Sequence, residues 1–325
     1  MNLFVHPSLP GLDEHLARVE VALRESVGSE DALLADIAGH LIEAGGKRLR
    51  PALTVMSALA TGAEITDDLV RGAVSVELVH LGSLYHDDVI DEAPTRRGVE
   101  SVNARWGNLV AIVAGDFLLA RASEIAASLG TEVSGLLAHT IGRLCEGEVG
   151  EIQFAYNSAR TEAAYLSAIA GKTASLMSTS CRIGGLAANA PRDQVEALTA
   201  FGHAFGMAFQ IWDDILDVIG MEESLGKPAG HDLVEGVYTL PVIQALAVPS
   251  IGDELRDLLG THLDMPTRDK ARDMIRSTDA VVESVVVARK YADEALGALG
   301  ALGDGPCVRS LAGLGHRLVD TLELS

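Results

Sequence analysis

Aromatic side chains are scarce in this chain of 325 residues, where Phe, Trp and Tyr together make up only 4%. The hydrophobic residues, which make up 48%, are mostly Ala, Leu and Val. Strands favour aromatic and β-branched side chains, whereas Ala and Leu favour helices. Proline is also rare, with 10 residues, and no Pro- or Ser-rich linker divides the chain. The composition therefore predicts one all-α domain over residues 1–325.

Basic residues, cysteines and long apolar runs are also few. The 25 basic residues face 46 acidic ones, and this net charge of −21 argues against nucleic acid as a main partner. Three widely spaced cysteines form neither a disulfide framework nor a zinc motif, which favours a cytoplasmic location (Cys145, Cys181 and Cys307). We expect no signal peptide, no membrane span and at most peripheral membrane contact.

The hydrophobic pattern follows the helical period through most of the chain. It predicts helices over residues 12–27, 31–44, 53–60, 67–91, 108–129, 132–156, 161–188 and 193–219. Ser29 is the expected cap of the second helix. A polar, Gly-rich loop over residues 221–236 is a candidate lid, and three or four amphipathic helices follow residue 253.

Three aspartates end the mostly apolar stretch LVHLGSLYHDDVIDE. Asp87 and Asp91 are four residues apart and share one helix face, with Asp88 beside them. Carboxylates this close raise each other's pKa, so they suit either a solvated surface or a site where a hard cation lies between the oxygens. This stretch alone leaves both readings open.

A second copy of the pattern, FQIWDDILDVIG, carries Asp213, Asp214 and Asp217. If the two helices pack together, six carboxylates face one cavity, and their repulsion requires divalent cations. Mg²⁺ typically takes one or two protein carboxylates together with phosphate oxygens. The paired motifs therefore predict a diphosphate bridged by Mg²⁺.

Cationic residues lie close to these motifs in the sequence. In GGKRLRP, Lys47 and Arg50 precede a helix start, which is either an anion site or an ordinary charged turn. Arg96 and Arg97 follow the first motif and either neutralise its carboxylates or clamp a diphosphate. His80 lies two turns before Asp87 on the same helix.

Five sequence blocks together resemble the trans-isoprenyl diphosphate synthases, the polyprenyl synthetase family: GGKRLRP, HDDVID with RRG, GKT, FQIWDDILD, and GKPAGHDLVEG with TLP. Their order and spacing agree from about Gly45 to Pro241. The resemblance implies an isoprenoid-synthase-type helical bundle around a deep central cavity, and a homodimer. It also implies elongation of an allylic diphosphate with isopentenyl diphosphate by ionisation, condensation and proton loss, with about three Mg²⁺ per active site.

The resemblance also implies roles for individual residues. The implied metal ligands are Asp87, Asp88, Asp91, Asp213, Asp214 and Asp217. The implied contacts to the allylic diphosphate are Arg96, Lys172 and Lys227, and those to isopentenyl diphosphate are Lys47, Arg50, His80 and Arg97. Thr173 and Gln210 would line the reacting centre. Val237 stands where many members have Lys, which removes one expected diphosphate contact.

The length of the product depends on how far the prenyl tail extends along the first-motif helix. Gly82 and Ser83, five and four residues before Asp87, are small where short-chain members usually have a bulky side chain. This predicts a product of roughly hexaprenyl to decaprenyl length, for quinone-type side chains, because each helical turn adds about 5.4 Å of tunnel.

Other readings remain open at this point. A bulky residue elsewhere would give a short-chain farnesyl or geranylgeranyl diphosphate synthase. A non-catalytic subunit of a heteromeric synthase would often lack some of the six aspartates, and a terpene cyclase would lack the GGKR block. The simplest alternative is a helical protein with acidic helix ends and no enzyme activity.

Overall fold

The structure, a computed structural model, describes residues 9, 11–220 and 229–323, without the side chains of residues 319 and 321–323. It is built almost entirely of helices, which confirms the predicted all-α class. The first ten helices are α1 (Leu12–Ser26), α2 (Ala32–Glu43), α3 (Leu49–Ala60), α4 (Asp67–Ile90), α5 (Val102–Trp106), α6 (Asn108–Ser128), α7 (Thr131–Ile152), α8 (Glu162–Ile169), α9 (Ser175–Ala187) and α10 (Arg192–Ile219).

The remaining helices are α11 (His231–Val234), α12 (Leu240–Leu246), α13 (Gly252–Leu258), α14 (Met265–Arg276), α15 (Ala280–Ala298) and α16 (Pro306–Glu323). A π-helical turn, Ala170–Ala174, joins α8 to α9, and a 3₁₀ turn, Leu299–Leu302, precedes α16. Three or four helices were predicted from residue 253 onward, and the structure has four there, α13–α16. The predicted lid lies partly outside the described residues, and its described end contains α11.

The cap of α2 differs from the one that the sequence predicted. Asp31, rather than Ser29, caps α2, because its Oδ1 accepts hydrogen bonds from the backbone N–H groups of Leu33 at 2.9 Å and Leu34 at 3.1 Å. The Ser29 hydroxyl instead accepts from the backbone of Asp31. Two polar candidates stood near this helix start, and the sequence pattern did not separate them.

A short antiparallel hairpin follows α4, with β1 (Thr95–Arg96) paired to β2 (Val99–Glu100). The two turn residues, Arg97 and Gly98, both have positive φ, at 55° and 77°. Such a two-residue turn matches the twist of the strands that it joins. The hairpin folds the arginines that follow the first aspartate motif back towards α4.

Most of the buried hydrophobic residues belong to one core, to which α1–α10, α15 and α16 contribute. Phe201 and Phe205 on α10 are fully buried, with ring centroids 5.8 Å apart. Burial of each such side chain stabilises the fold by about 1.5–3 kcal/mol. A smaller core joins the end of α10 to α11–α14, through residues such as Val218, Tyr238 and Ile275. The single-domain assignment stays a prediction, although α10 contributes to both cores.

No helix among the described residues combines the length and the apolar character that crossing a membrane requires.

Candidate active site

An acidic cavity of about 190 Å³ lies between the ends of α4 and α10. Asp91 from the first motif and both Asp213 and Asp214 from the second line it. The two aspartate motifs, far apart in sequence, thus meet at one cavity. The other described lining residues are Glu151, Ile169, Lys172, Thr173, Gln210, His231, Asp232, Glu235, Val237 and Thr239.

A second cavity, of about 360 Å³, is largely apolar. Lys172 and Thr173 line both cavities, so the two spaces adjoin at these residues. Among the described residues that line it, none is Phe, Tyr or Trp. The apolar lining residues are Leu84, Ile90, Leu119, Ile141, Leu144, Val149 and Ile152, and the others are Arg50, His80, Ser83, His86, Asp87, Cys145 and Glu148.

The three aspartates of the first motif have different environments. Asp87 lines the apolar cavity and Asp91 the acidic one. Asp88 is fully buried and lines neither, and its Oδ1 accepts a hydrogen bond from Arg96 Nε at 2.6 Å. The side-chain amide of Asn103 donates to the Asp88 carbonyl at 2.9 Å. Arg96 therefore neutralises Asp88 in this structure.

Burial, helped by the nearby Glu148 and Asp91 carboxylates and opposed by Lys172, raises the pKa of the Asp87 carboxyl to about 7. Burial also raises the pKa of Asp91. These carboxylates lose hydration and repel one another, so their charged forms are disfavoured without a bound cation. Oxygen donors of this kind suit a hard divalent cation.

In the second motif, Asp213 is exposed towards the acidic cavity, whereas Asp214 and Asp217 are buried. Asp214 Oδ2 accepts a hydrogen bond from Tyr165 Oη at 2.5 Å, and its Oδ1 accepts from Gln210 Nε2 at 2.8 Å. Burial raises the pKa of Asp214 to about 7, although both hydrogen bonds oppose this shift.

Asp217 lies at the edge of the site and lines neither described cavity. Its Oδ2 accepts a hydrogen bond from the backbone N–H of Asp232 at 3.1 Å, and its carbonyl accepts from Gly230 at 2.7 Å. Asp217 thereby holds the start of α11, and α11 brings Asp232 to the acidic cavity.

Lys172 and Thr173 belong to the π-helical turn between α8 and α9, a feature that is frequent at functional sites. Lys172 Nζ lies 2.7 Å from Glu148 Oε2 and also pairs with Glu151. Burial lowers the pKa of Lys172, but Glu151, Glu148 and Asp87 outweigh this and raise it overall. Lys172 is therefore a permanent cation at the junction of the two cavities.

A close approach of α7 to this turn makes the Lys172 contacts possible. A Cβ atom on Gly147 would lie 2.5 Å from the backbone nitrogen of Lys172, which real side chains do not tolerate. Glycine at this position lets the helix and the π-helical turn touch. Glu148 and Glu151, one and four residues later on α7, then reach Lys172.

Of the four residues predicted to bind isopentenyl diphosphate, two line the apolar cavity. Arg50 and His80 line the apolar cavity, whereas Arg97 Nη1 donates to the Leu41 carbonyl at 2.9 Å. Lys47 is exposed in the turn before α3. Burial lowers the pKa of Arg50 to about 10, and burial together with the nearby arginines lowers the pKa of His80 well below its usual value.

The two product-length candidates face different surroundings. Ser83 lines the apolar cavity. Gly82 packs against α6, where an added Cβ would lie 3.0 Å from the Gly115 carbonyl oxygen and 3.1 Å from Leu119 Cγ. Tyr85 is fully buried on another face, and its hydroxyl donates to the Ile37 carbonyl at 2.7 Å. Lys227, the remaining predicted site residue, lies outside the described residues.

Several site residues escaped the sequence reasoning. Glu148 and Glu151 lie on an otherwise ordinary helix, but their spacing in EGEVGE, one turn apart, could have signalled them. Glu77, which is buried and pairs with Arg48 at 3.0 Å, lies beside the predicted cations without any motif of its own. Nothing in the sequence signalled Tyr165, because its partner is 49 positions away.

Comparison with known proteins identifies the family. The model of the family described as polyprenyl synthetase matches residues 31–275. The chain belongs to the polyprenyl synthetase family. A heptaprenyl diphosphate synthase component 2 from Geobacillus stearothermophilus is 42% identical over 90% of this chain and 91% of the relative. Prenyl transfer is the reaction of this family, so the chain is a prenyltransferase, as the sequence predicted.

Solved structures of similar proteins agree with this assignment. A decaprenyl diphosphate synthase from Rhodobacter capsulatus has a TM-score of 0.89 and 36% identity, covering 96% of this chain and 98% of that one. A polyprenyl synthase from Caulobacter crescentus, complexed with calcium and isoprenyl diphosphate, has a TM-score of 0.88 and 33% identity, covering 94% of each chain. The predicted isoprenoid-synthase-type helical bundle is thus confirmed.

Proposed function

We propose that this enzyme adds isopentenyl diphosphate repeatedly to an allylic diphosphate and releases an all-trans polyprenyl diphosphate of medium or long chain. One observation carries the proposal. The acidic cavity and the apolar cavity meet at Lys172 and Thr173. The arrangement provides one compartment for charged diphosphate and an adjoining one for a hydrocarbon tail.

We further propose Mg²⁺ as the cofactor, about three ions per site, held by the carboxylates that line the cavities, Asp87, Asp91 and Asp213. Their burial and mutual repulsion support this choice. Within the described residues no three His, Cys, Asp or Glu side chains form a ready-made metal site, which fits a metal completed by phosphate oxygens. Metal roles for Asp88, Asp214 and Asp217 stay predictions. Bound Mg²⁺ would supply positive charge for the departing pyrophosphate.

The cationic side chains bind and orient the two diphosphates. Lys172 and Arg96 contact the allylic diphosphate, and Lys227 would join them. Arg50 and His80, with Lys47 and Arg97, hold isopentenyl diphosphate. Two of these, Arg50 and His80, line the same cavity as Asp87, which supports the assignment. Arg96 lies in the hairpin and is paired with Asp88. To contact the diphosphate, its guanidinium would have to leave this pair.

The reaction breaks the allylic C–O bond and joins the allylic carbon to the terminal carbon of isopentenyl diphosphate. This attack leaves a tertiary cation at C3 of the isopentenyl unit. A proton then leaves C2, its bonding electrons form the new C2–C3 double bond, and the released pyrophosphate takes the proton. Thr173 and Gln210 line the reacting centre, and apolar walls from Leu119 and Ile141 exclude water that would otherwise quench the cation. No protein nucleophile is required.

The apolar cavity favours a long product, of roughly hexaprenyl to decaprenyl length at about 5.4 Å per helical turn of tunnel. Ser83 leaves room, and none of the described lining residues is Phe, Tyr or Trp. The alternative is a short-chain enzyme making farnesyl or geranylgeranyl diphosphate, if the apolar lining residues close the tunnel.

We propose a cytoplasmic homodimer, with α6 as the contact face. Leu109 and Val113 are 82% and 60% exposed, and Ile112 lies beside them. Exposed apolar side chains grouped on one helix are typical of an interface. One relative is named as component 2 of its synthase, so a different chain on this face is the alternative. Light scattering of the purified protein and of Leu109→Asp tests this, because a wild type that is monomeric contradicts the homodimer.

The proposed reaction is tested with purified protein, Mg²⁺, labelled isopentenyl diphosphate and farnesyl or geranylgeranyl diphosphate, with products separated by chromatography. We expect a ladder that ends at hexaprenyl or beyond. A stop at farnesyl or geranylgeranyl would support the short-chain alternative. No incorporation would support the reading as a non-catalytic partner subunit, and Val237, which lines the acidic cavity where many relatives have Lys, would be the first residue to replace.

A further inference from the structure

Each oxygen of the Asp214 carboxylate accepts a hydrogen bond from a protein group. Tyr165 Oη donates to one oxygen at 2.5 Å, and Gln210 Nε2 donates to the other at 2.8 Å. These two bonds hold the carboxylate in one orientation. Asp213, the preceding residue, is exposed towards the same cavity. The two adjacent aspartates are therefore not equivalent.

Tyr165 is itself held firmly. Its side chain is 1% exposed, and the guanidinium of Arg160 lies 5.5 Å from the centre of its ring. Arg160 is also buried, and its Nη1 donates to the Tyr238 carbonyl at 3.1 Å. Its Nε and Nη2 have no hydrogen-bond partner among the described residues. A buried cation that stacks on a tyrosine ring fixes that ring in place.

The network continues from Asp214 to the junction of the two cavities. The amide of Gln210 has a donor nitrogen and an acceptor oxygen. Because the nitrogen donates to Asp214, the oxygen faces the other way. That oxygen accepts a hydrogen bond from Thr173 Oγ1 at 2.6 Å. The hydroxyl proton of Thr173 is therefore turned to Gln210, and the oxygen lone pairs stay available on the cavity side.

We propose that Tyr165 and Asp214 are positioning residues, which fix the orientation of Gln210 and Thr173 at the junction of the two cavities, beside the metal ligand Asp213 of the proposed function. The inference rests on the proposed function. It assigns to Tyr165 a role in the reaction, and it changes the role that the sequence assigned to Asp214.

The test compares binding with turnover in three variants. Calorimetry measures the Mg²⁺-dependent affinity for inorganic pyrophosphate, and steady-state assays measure kcat and KM. Asp213→Asn should weaken this affinity at least about tenfold. Asp214→Asn and Tyr165→Phe should change it less than about twofold, yet lower kcat about tenfold, as expected when one hydrogen bond to a charged group is lost.

Tyr85→Phe is the matched control, because Tyr85 is equally buried and its hydroxyl donates to a backbone carbonyl at 2.7 Å away from both cavities. It should lower stability as much as Tyr165→Phe and leave kcat unchanged. If Asp214→Asn weakens pyrophosphate binding as much as Asp213→Asn, Asp214 is a metal ligand and the inference fails. An unchanged kcat in Tyr165→Phe would also overturn it.

A double-mutant cycle distinguishes one network from two separate effects. The variant with both Tyr165→Phe and Asp214→Asn should lose no more kcat than the worse single variant. If the double variant loses kcat by the product of the two single losses, the two residues act independently, which would contradict a single network. If Asp214→Asn does not fold, Gln210→Met replaces it in the cycle, with the same expectations. Binding of Mg²⁺ and pyrophosphate needs no turnover, so a wild type that binds but makes no product refutes the proposed function alone.

Discussion

The acidic and the apolar cavity share Lys172 and Thr173, but the rest of their walls differ in kind. Carboxylates from α7, α10, α11 and the end of α4 crowd the acidic cavity, where burial raises the pKa values of Asp91 and Asp214. Leucine, isoleucine and valine form most of the apolar cavity, which adjoins Asp87. The difference separates two tasks. In the proposed function, charged groups set the rate of the chemical step, whereas apolar side chains set how long a tail fits.

The first prediction removes one of the proposed metal-binding carboxylates and should have the largest effect. Asp87→Asn should lower turnover by at least about a hundredfold, which is typical for losing one group that stabilises transition-state charge. The length of the residual product should not change. Steady-state assays and chromatography measure both quantities, and circular dichroism checks that the helices remain.

Asp257→Asn provides the control, because Asp257 is exposed on α13 and lies outside both cavities. It should retain full turnover. Normal turnover in Asp87→Asn would contradict the proposed metal ligands, and a changed product length would contradict the separation of tasks.

The second prediction concerns the wall between α4 and α6. Gly82→Ala should destabilise the protein by about 1–3 kcal/mol, because the new methyl group would overpack against the Gly115 carbonyl. In Gly39→Ala, on α2, the methyl group meets no atom within 4 Å, and stability should rise by up to about 1 kcal/mol. Chemical denaturation measures the free energy of unfolding of both variants. Equal values for the two variants would contradict the close packing at Gly82.

The third prediction concerns His80, whose pKa is lowered by burial and by Arg50 and Arg97. An unfolded histidine binds a proton near pH 6.5, but the folded His80 does not, so the unfolded state binds more protons below that pH. His80 should therefore contribute a loss of stability of up to about 1.4 kcal/mol per pH unit as the pH falls below 6.5.

His80→Gln should remove this part of the pH dependence, and His139→Gln, at an exposed position on α7, should not. Unfolding in denaturant at pH 5.5 and pH 7.5 measures the difference. An unchanged slope in His80→Gln would mean that the histidine is protonated in the folded state.

The fourth prediction is the smallest. Val237→Lys adds a cation to the acidic cavity, where Asp232 and Glu235 already line the wall. The KM for the allylic diphosphate should fall about twofold to fivefold, the size of one partly solvated ion pair. The product length should stay the same. A rise in KM would contradict the prediction, because the lysine would then weaken binding of the allylic diphosphate.

Much of this fold was predictable from the sequence because helical periodicity reports which face is buried. The predicted helix over residues 67–91 corresponds to α4, and that over 193–219 to α10, within one residue at each end. The same patterns brought Asp91 and Asp213 to one cavity. Spacing along each helix was enough to group the aspartates on one face, whereas the expectation that the two motifs share a site rested on the second copy of the pattern and on the family resemblance.

The remainder depended on contacts that the pattern does not encode. Periodicity identifies Asp88 and Asp214 as members of acidic motifs but not as buried groups bonded to Arg96 and Tyr165. Gly82 and Ser83 are neighbours in sequence, yet one packs against α6 and the other lines the cavity. Partners far apart in the chain decide both outcomes.

The most direct test of the division between the two cavities is the product length made by Ser83→Phe. A phenylalanine here should shorten the product by at least one prenyl unit, because its ring fills about one helical turn of the apolar cavity. Turnover with the shortest allylic substrate should remain within about threefold, since no charged group is lost. The control Ser167→Phe, exposed on α8, should make the wild-type product. An unchanged product from Ser83→Phe would contradict the account, because the growing tail would then bypass the apolar cavity.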